Sequence, residues 1–551
     1  MRLFLIMFFS ILLLTAGKVP ADRNEASAFL SRATFGPDKA SIDRLMEIGI
    51  DAWLDEQFAL PASSHMQWML DRAKGVDGTG DLRDHPGHWT RYNEAIDELK
   101  LDAWWKIVVT APDQLRQRVA FALSEILVTS KYGPLLTYPD ARTSFYDLLV
   151  RHAFGRFEDL LLAVTYHPAM GLYLSYLGNA KAGMIGAHPD ENYAREVMQL
   201  FSIGLVRLHP DGTPILDESG RPLPAYTQHD VTELARVFTG LSDRNGQFLA
   251  ESAFSSHQGR IRPMRIFEHY HDHGAKTILG HPFDANVSAR EEIRHAIHIL
   301  ATHPNTAPFI SRQLIQRLVT SNPGPDYVKR VARVFRESDG DLKAVVRAIL
   351  TDDEALHGRT TLPKRFGKFR EPLLMIAHLL RAFHAVDGLH TLKEGEKPLY
   401  RYRSFNLHET GMMLQDSPQS ALTVFNYFTP DDAPTDLARK GLVAPELSVY
   451  GKQGVDDVLM GIIHQNGFIY DTFELSADLQ IGPIRKLIRQ KRYQAALNRL
   501  DTLLCGGTLS RQSRQTILTY LRKVAPRTRP DALARHLIGL VITSPDYALQ
   551  R

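Results

Sequence analysis

Ionisable side chains recur at helical spacing in the stretch from Pro189 to Gly204. On a helix, Asn192 and Glu196 fall on one side, and Arg195 can pair with Glu191 four residues before it. If the polar side faces a cavity, loss of water raises the pKa of Glu196 toward that of a useful general base, or leaves its carboxylate as a metal ligand. In the alternative, structural interpretation, the acidic residues complement the helix dipole and Glu196 pairs with a buried arginine.

A second cluster, at residues 269–273, reads His-Tyr-His-Asp-His. Alternate residues of an extended segment point the same way, so its three histidines could offer ring nitrogens to a zinc-like ion. The same spacing also occurs on ordinary protein surfaces, which leaves a metal-free alternative open. Together the two segments predict a catalytic site of Glu196, Asn192, Arg195, His271 and Asp272, and a divalent metal held by His271, Asp272 and Glu196. This prediction requires both segments to meet around a hollow that solvent can reach.

Other candidate residues carry a weaker signal. Arg312, Arg317 and Lys276 could bind an anionic group, but basic residues on helix faces are commonly solvated or paired. Lys368, Arg370 and Glu371 carry the same ambiguity. The signatures Gly-x-Ser-x-Gly, Gly-x-x-x-x-Gly-Lys, His-Glu-x-x-His and Gly-x-Gly-x-x-Gly are missing from the sequence. Their absence argues against an α/β hydrolase, a nucleotide-dependent enzyme, a zincin protease and a Rossmann dehydrogenase.

Helical periodicity dominates the chain. Between Asp113 and Ser130, apolar residues recur at steps of three and four, the pattern by which a helix buries one face, and Asp113 is placed to cap that helix. Alternating strands are almost absent. The one β-like or irregular region runs from Leu208 to Tyr226, where Asp-Gly and Ser-Gly pairs supply turns. The sequence predicts an all-α fold, or nearly so, with a short β-like insertion and a smaller C-terminal helical part.

The length of the chain predicts more than one packed unit, because 551 residues exceed the size at which a single hydrophobic core stops growing. The polar, Gly-rich stretch from Gly75 to Gly87 is expected to be an exposed loop. The predicted division is a signal peptide at residues 1–21, an N-terminal helical domain at 22–386, a linker-like segment at 387–418 and a C-terminal helical part at 419–551.

The first residues are typical of an export signal. Arg2 precedes an uncharged apolar run from Leu3 to Leu14, and cleavage is expected after Gly17 or Ala21. No later stretch reaches membrane-spanning length without charges, so we expect a soluble mature protein in the periplasm or outside the cell. The single cysteine, Cys505, excludes an intrachain disulfide framework. A formal net charge of +3, with no long basic block, argues against a nucleic-acid partner.

Several segments are specific enough to compare with a known family. They are LSRATFGP, RVAFALSEILVTS, AFGRFEDLLLAVTYHPAMG, PDENYAREVMQLFSIG, His271-Asp272 with the following KTILG, HPNTAPFISRQLIQRLVTSN, VFN, GLVAPE and TSPDYALQ. Together they resemble the bacterial family called domain of unknown function 1800. The resemblance implies an exported helical protein, often encoded beside another exported family that is similar to sulfatases and alkaline phosphatases. It carries over no catalytic residues, and the partner that it implies rests on analogy.

The sequence leaves two functions open. The first is an envelope enzyme that uses the polar site, with or without a divalent metal, on a glycan, a phosphate ester or a sulfate ester. The second is a non-enzymatic envelope scaffold or partner protein, for instance one that works with a neighbouring phosphatase-like or sulfatase-like protein. In that case the polar residues only satisfy one another in the interior.

Overall fold

The computed structural model of the chain describes residues 18–73, 91–186, 188–246, 248, 257–387, 417–450, 455–464 and 477–551. Helices dominate these residues, which confirms the prediction of a nearly all-α fold. The α-helices, numbered α1 to α25 in chain order, are Arg23–Ala33, Lys39–Ala59, His65–Ala73, Arg91–Thr110, Gln114–Ser124, Pro139–His152, Phe157–Thr165, Pro168–Tyr173, Asn192–Gln199, Gln228–Val237, His257–Ile261, Ala289–Thr302, Thr306–Leu318, Pro325–Glu337, Leu342–Thr351, Asp353–Thr361, Pro372–Ala382, Thr435–Ala438, Leu447–Tyr450, Val455–His464, Gly482–Arg489, Tyr493–Leu500, Arg511–Val524, Pro530–Ile542 and Pro545–Ala548.

Short strands pair in twos within the described part of the chain, and each pair is antiparallel. In chain order they are β1 Leu241–Ser242 with β2 Arg265–Ile266, β3 Lys276–Ile278 with β4 His281–Phe283, β5 Lys368–Phe369 with β8 Leu549–Gln550, and β6 Val386–Asp387 with β7 Ala477–Asp478. Strands of two or three residues cannot form a layer of their own. They serve to fix the ends of helices and loops against one another.

The region between α9 and α10 is the predicted β-like insertion. Three isolated antiparallel bridges join its backbone between residues 206 and 224. Asp211 and Asp217 close its two turns by accepting hydrogen bonds from the backbone N–H groups of Thr213 and Ser219. The hydrogen bonds that these Asp side chains accept therefore stabilise the two turns that the sequence predicted in this region.

Helix α5 ends earlier than its sequence pattern predicts, at Ser124 rather than near Ser130. Asp113 occupies the N-cap position, but its side chain makes no cap hydrogen bond. Instead, its carboxylate accepts hydrogen bonds from the backbone N–H of Ser63 at 2.9 Å and from the side chain of Gln117 at 3.0 Å. A contact with the loop before α3 therefore replaces the expected local cap.

One continuous apolar core includes helices from both ends of the described chain. Strand β8 pairs with β5 so that Gln550 lies opposite Lys368. The Tyr547 hydroxyl donates a hydrogen bond to the backbone oxygen of Met375 at 2.6 Å. The C-terminal helices are therefore packed directly on helix α17 of the N-terminal part.

Two sequence predictions fall on residues that the structure does not describe. The Gly-rich stretch from Gly75 to Gly87 lies outside the described residues, and so does most of the linker-like segment at 387–418. The division into an N-terminal domain and a C-terminal part stays a prediction. Within the described ranges, none of the helices combines the length and the apolar character that crossing a membrane requires.

We predict that Gly204→Ala lowers the free energy of unfolding by about 2–4 kcal/mol, because Gly204 has a φ of 74° and its Cβ would lie 2.8 Å from the ring of Phe309. Gly220→Ala is the matched control, since Gly220 has a φ of 78° and no heavy atom within 4 Å of the added Cβ. Urea unfolding of both variants measures the difference. Equal losses would show that the close approach to Phe309 contributes nothing.

Candidate functional site

The carboxyl group of Glu196 is set into the buried side of helix α9. Tyr193 on the same helix stacks on Tyr176 with ring centroids 4.2 Å apart, and this pair anchors the helix in the core. Only 7% of Glu196 is exposed, and its Oε2 atom is buried without a hydrogen-bond partner. A buried carboxylate oxygen that lacks a donor is costly to ionise, which makes Glu196 unusual among the predicted site residues.

Burial raises the pKa of Glu196 above its usual value, and the positive charge of Arg195 offsets only part of this effect. The charge of Glu196 also contributes to raising the pKa of two tyrosines. Burial, reinforced by the charge of Glu196, raises the pKa of Tyr173 to about 12. Burial also raises the pKa of Tyr226, where Arg195 opposes and Glu196 adds to the shift. The charge of Glu196 therefore acts on two half-buried tyrosines.

Arg195 and Asn192 are turned away from Glu196 toward other polar groups. The Arg195 guanidinium lies 3.1 Å from Glu191 Oε2 and donates a hydrogen bond to Gln228. The Asn192 amide donates to the Ser175 hydroxyl at 3.3 Å, and Asn192 itself is exposed. The predicted pairing between Glu191 and Arg195 is therefore present. No ion pair to Glu196 occurs within the described chain, so the structural interpretation of Glu196 lacks its arginine.

Only part of the histidine cluster adopts the extended backbone on which the metal-binding argument rested. Residues Glu268–Tyr270 form a 3-10 turn that includes His269, whereas His271 is extended and its ring centroid lies 4.9 Å from that of His273. His273 bonds through its two ring nitrogens to the backbone oxygens of Val287 and Glu268, each at 3.1 Å. The rings of His271 and His273 therefore lie side by side, and the ring nitrogens of His273 contact the protein backbone.

His271 and Asp272 belong to a network of buried and half-buried charges. His271 is fully buried, with Nδ1 3.0 Å from the backbone oxygen of Thr239 and Nε2 3.3 Å from Glu292 Oε2. The same Glu292 oxygen lies 2.6 Å from Lys276 Nζ. Both ring nitrogens of His271 therefore lie next to oxygen atoms of the protein itself.

Asp272 is held by Arg236 of helix α10. The guanidinium donates from Nε to Asp272 Oδ2 at 2.9 Å and from Nη2 to Oδ1 at 3.0 Å. Arg236 also forms an ion pair with Glu233. The positive charge of Lys276 acts on Asp272 as well. Burial alone would raise the pKa of Asp272, but the hydrogen bonds from Arg236 and Gly274 and the nearby positive charges outweigh it and hold the pKa below its usual value. Asp272 therefore stays ionised and paired.

The backbones of the two predicted segments lie close together through the stretch Asn179–Lys181. The Asp190 N–H donates to the Asn179 side chain at 3.0 Å, and the Lys181 N–H donates to the Tyr270 backbone oxygen at 2.8 Å. Their functional side chains make different contacts, because Asp272 pairs with Arg236 whereas Glu196 forms no ion pair among the described residues. Among the described residues, no three His, Cys, Asp or Glu side chains are grouped as a metal ion requires. His271, Asp272 and Glu196 thus do not form the shared metal site that the sequence predicted.

A second set of buried charges joins helices α5, α13 and α17 with the segment after residue 417. Lys368 Nζ lies 3.1 Å from Glu446 Oε1 and 3.5 Å from Glu371 Oε1, and all three residues are buried. Arg317 Nη1 lies 3.7 Å from Glu125 Oε1. We call this set, together with Arg118, the buried charge network.

In the buried charge network, the pKa values of two carboxyl groups are shifted in opposite directions. Burial and the negative charge of Glu371 raise the pKa of Glu125 to about 8, although Arg317 and Lys368 oppose the shift. Burial would also raise the pKa of Glu371, but the charges of Lys368 and Arg118 hold it below its usual value. Glu125 therefore holds its proton more tightly than an ordinary glutamate, and Glu371 holds its proton less tightly.

Sequence reasoning named Arg317, Lys368 and Glu371 but missed that they converge. It also missed Glu125 and Glu446. Both lie in segments that carry the family resemblance, Glu125 in RVAFALSEILVTS and Glu446 in GLVAPE. A glutamate within such apolar surroundings is a signal of a buried, paired carboxylate that could have been found.

We predict that Asp272→Asn lowers the free energy of unfolding by about 1.5–3 kcal/mol, because it removes a charge-assisted pair and leaves Arg236 without its main partner. Asp436→Asn is the control, since Asp436 and Arg439 form an exposed pair 3.5 Å apart. We expect that control to stay within about 0.5 kcal/mol of the parent. Similar values for both variants in urea unfolding would contradict a structural role for Asp272.

We predict that Glu125 makes the protein less stable as pH rises. Its folded pKa lies above its unfolded value, so the native state holds more protons and stability is lost between about pH 5 and pH 8. Glu125→Gln removes this contribution and flattens the pH dependence of the free energy of unfolding. Glu337→Gln, at an exposed carboxyl, should leave the dependence unchanged. Parallel curves for the parent protein and Glu125→Gln would contradict the assignment.

Comparison with known proteins gives one result. The family model described as protein of unknown function DUF1800 matches residues 28–549. No curated protein and no solved structure matches the chain. Because the matched range takes in nearly the whole chain, including Glu196, the His271 segment and the buried charge network, the protein belongs to the DUF1800 family.

Proposed function

We propose that this protein is an exported envelope enzyme in which Glu196 transfers a proton during cleavage of a glycan or of a phosphate or sulfate ester. The single observation that carries the proposal is the state of the Glu196 carboxyl, with one oxygen buried and unpaired and its pKa raised by burial. A carboxyl group whose pKa is moved toward neutrality can hold and release a proton under working conditions, which is the requirement for general acid or base catalysis.

The surroundings of Glu196 suit a polar substrate with a ring. The charge of Glu196 acts on the half-buried Tyr173 and Tyr226, and aromatic faces of this kind can stack on sugar rings. The hydroxyl of Tyr226 donates to the side chain of Gln199 at 3.3 Å, which fixes the orientation of its ring. Asn192 is exposed at the start of the same helix and could bind a hydroxyl or an ester oxygen.

The other predicted residues act as positioning residues in this proposal. Arg195 holds Glu191 and Gln228, and this contact joins helix α9 to helix α10. Asp272 and His271 hold the far end of α10 through Arg236 and Thr239. The proton transfer that we propose uses the carboxyl group of Glu196 and does not depend on these side chains touching the substrate.

The setting of this activity is also part of the proposal. The apolar run from Leu3 to Leu14 supports export to the periplasm or the exterior. We propose that the protein works there beside an exported sulfatase-like or phosphatase-like protein, as the family resemblance implies.

The alternative function is a non-enzymatic scaffold or partner protein. The observation that favours it is the complete pairing of Asp272 with Arg236 and the burial of His271, which remove both side chains from contact with a ligand. Under this alternative, the unpaired oxygen of Glu196 would be a tolerated cost of packing.

We predict that Glu196→Gln lowers turnover by at least about 100-fold on whichever of aryl glycosides, aryl phosphates and aryl sulfates the parent protein cleaves. The same variant should keep or raise the thermal midpoint at pH 7, because ionising Glu196 in the folded protein is costly. Glu337→Gln, at an exposed carboxyl of helix α14, is the control and should lose far less turnover.

Two results would count against the enzymatic proposal. One is turnover by Glu196→Gln within a few-fold of the parent protein. The other is an inactive parent on all three substrate classes, together with a lower thermal midpoint for Glu196→Gln, which would favour the scaffold. In an active protein, the limb of the pH profile that belongs to Glu196 should vanish in the variant.

A further inference from the structure

A cavity of about 280 Å³ lies between helices α1 and α16, far in sequence from the Glu196 site. Helix α1 lines it with Phe29 and Arg32, and helix α16 lines it with Leu356 and Arg359. The spacings of three residues within each helix place an apolar and a basic side chain on the same face of each. The cavity therefore has apolar walls and two guanidinium groups.

Arg32 is a buried cation without a carboxylate partner. Only 4% of the residue is exposed, and no ion pair to it occurs within the described chain. One of its terminal nitrogens donates to the backbone oxygen of Ala355, its Nε has no partner, and its guanidinium lies 5.4 Å from the centroid of the Phe366 ring. The buried Arg381 also lacks a carboxylate, but its guanidinium donates to three backbone oxygens, whereas Arg32 donates to one and keeps donor capacity for an anion.

Arg359 adds a second positive charge to the first. Burial lowers the pKa of Arg32 to about 10, and the charge of Arg359 contributes to the shift while Tyr327 opposes it. Arg32 therefore stays charged at neutral pH. One terminal nitrogen of Arg359 donates a hydrogen bond to the backbone oxygen of Gly506 at 3.0 Å. Two like charges face a shared space with donor capacity left over.

Two carboxylates, Glu25 and Asp353, also line the cavity, but within the described residues neither forms an ion pair with Arg32 or Arg359. Glu25 accepts a hydrogen bond from the backbone N–H of Ala21 at 2.8 Å. Lys18 lines the cavity as well and donates to the backbone oxygen of Thr351. The lysine and the two arginines outnumber the two carboxylates, so the lining has a positive balance.

We propose that this cavity binds a small oxyanion, a carboxylate or a phosphate or sulfate group, between the guanidiniums of Arg32 and Arg359, with an apolar part of the same ligand against Phe29 and Leu356. Planar guanidinium groups match such anions because they donate two parallel hydrogen bonds. The volume suits a single charged group on a small ring rather than a polymer. This site is independent of the proposed reaction at Glu196.

The test is isothermal titration of the full-length purified protein with sodium phosphate, sodium sulfate, sodium acetate and phenyl phosphate at constant ionic strength in chloride. We expect saturable binding of at least one anion with a stoichiometry of one. Phenyl phosphate should bind more tightly than phosphate, because its ring contacts the apolar walls.

Arg359→Gln should weaken this binding about tenfold or more, since it removes one of the two charged donors. Arg333→Gln is the matched control, because it removes the same charge from an exposed site on helix α14. Thermal midpoints in chloride alone show whether each variant folds, and Arg32→Lys provides a second variant that keeps the charge but loses the bidentate fork. Absence of saturable binding to all four probes, or equal weakening by Arg333→Gln, would overturn the proposal.

Discussion

The buried side chain of Lys368 constrains how the molecule packs, because a buried ammonium group must be surrounded by hydrogen-bond acceptors. Its Nζ lies 3.0 Å from the backbone oxygen of Arg317 and 3.1 Å from Glu446 Oε1. The strand that carries it pairs with residues up to Gln550. These partners come from three distant parts of the sequence. Neutralising one charge therefore brings the central helices, the segment after residue 417 and the C-terminal strand to the same place.

Glu196 and Arg32 are buried ionisable groups without an ion-pair partner among the described residues, and they are our candidates for function. Glu196 has an oxygen with no donor, and Arg32 has a guanidinium with no carboxylate. Both belong to helices whose apolar sides are firmly held in the core, so neither can move far to find a partner. A rigid scaffold that leaves a charge unsatisfied has stored free energy that a ligand or a substrate can release.

Periodicity in the sequence was enough to predict the helices, since burying one face of a helix needs only local spacing. It also found the helix of Glu196 and the pairing of Glu191 with Arg195, which lie four residues apart. The alternation argument for the histidines placed His271 beside His273, whose ring centroids lie 4.9 Å apart, but it missed the 3-10 turn at Glu268–Tyr270 that includes His269. The meeting of Glu125 with Glu371 could not be predicted either, because it depends on how remote helices pack.

The pairing of strand β5 with strand β8 has a consequence for the order of folding. Residues 368 and 369 are followed by most of the C-terminal helices before residues 549 and 550 arrive to bond with them. In a chain that emerges from its N-terminus, the backbone of β5 stays unpaired, and this part of the core stays open, until that late segment is present.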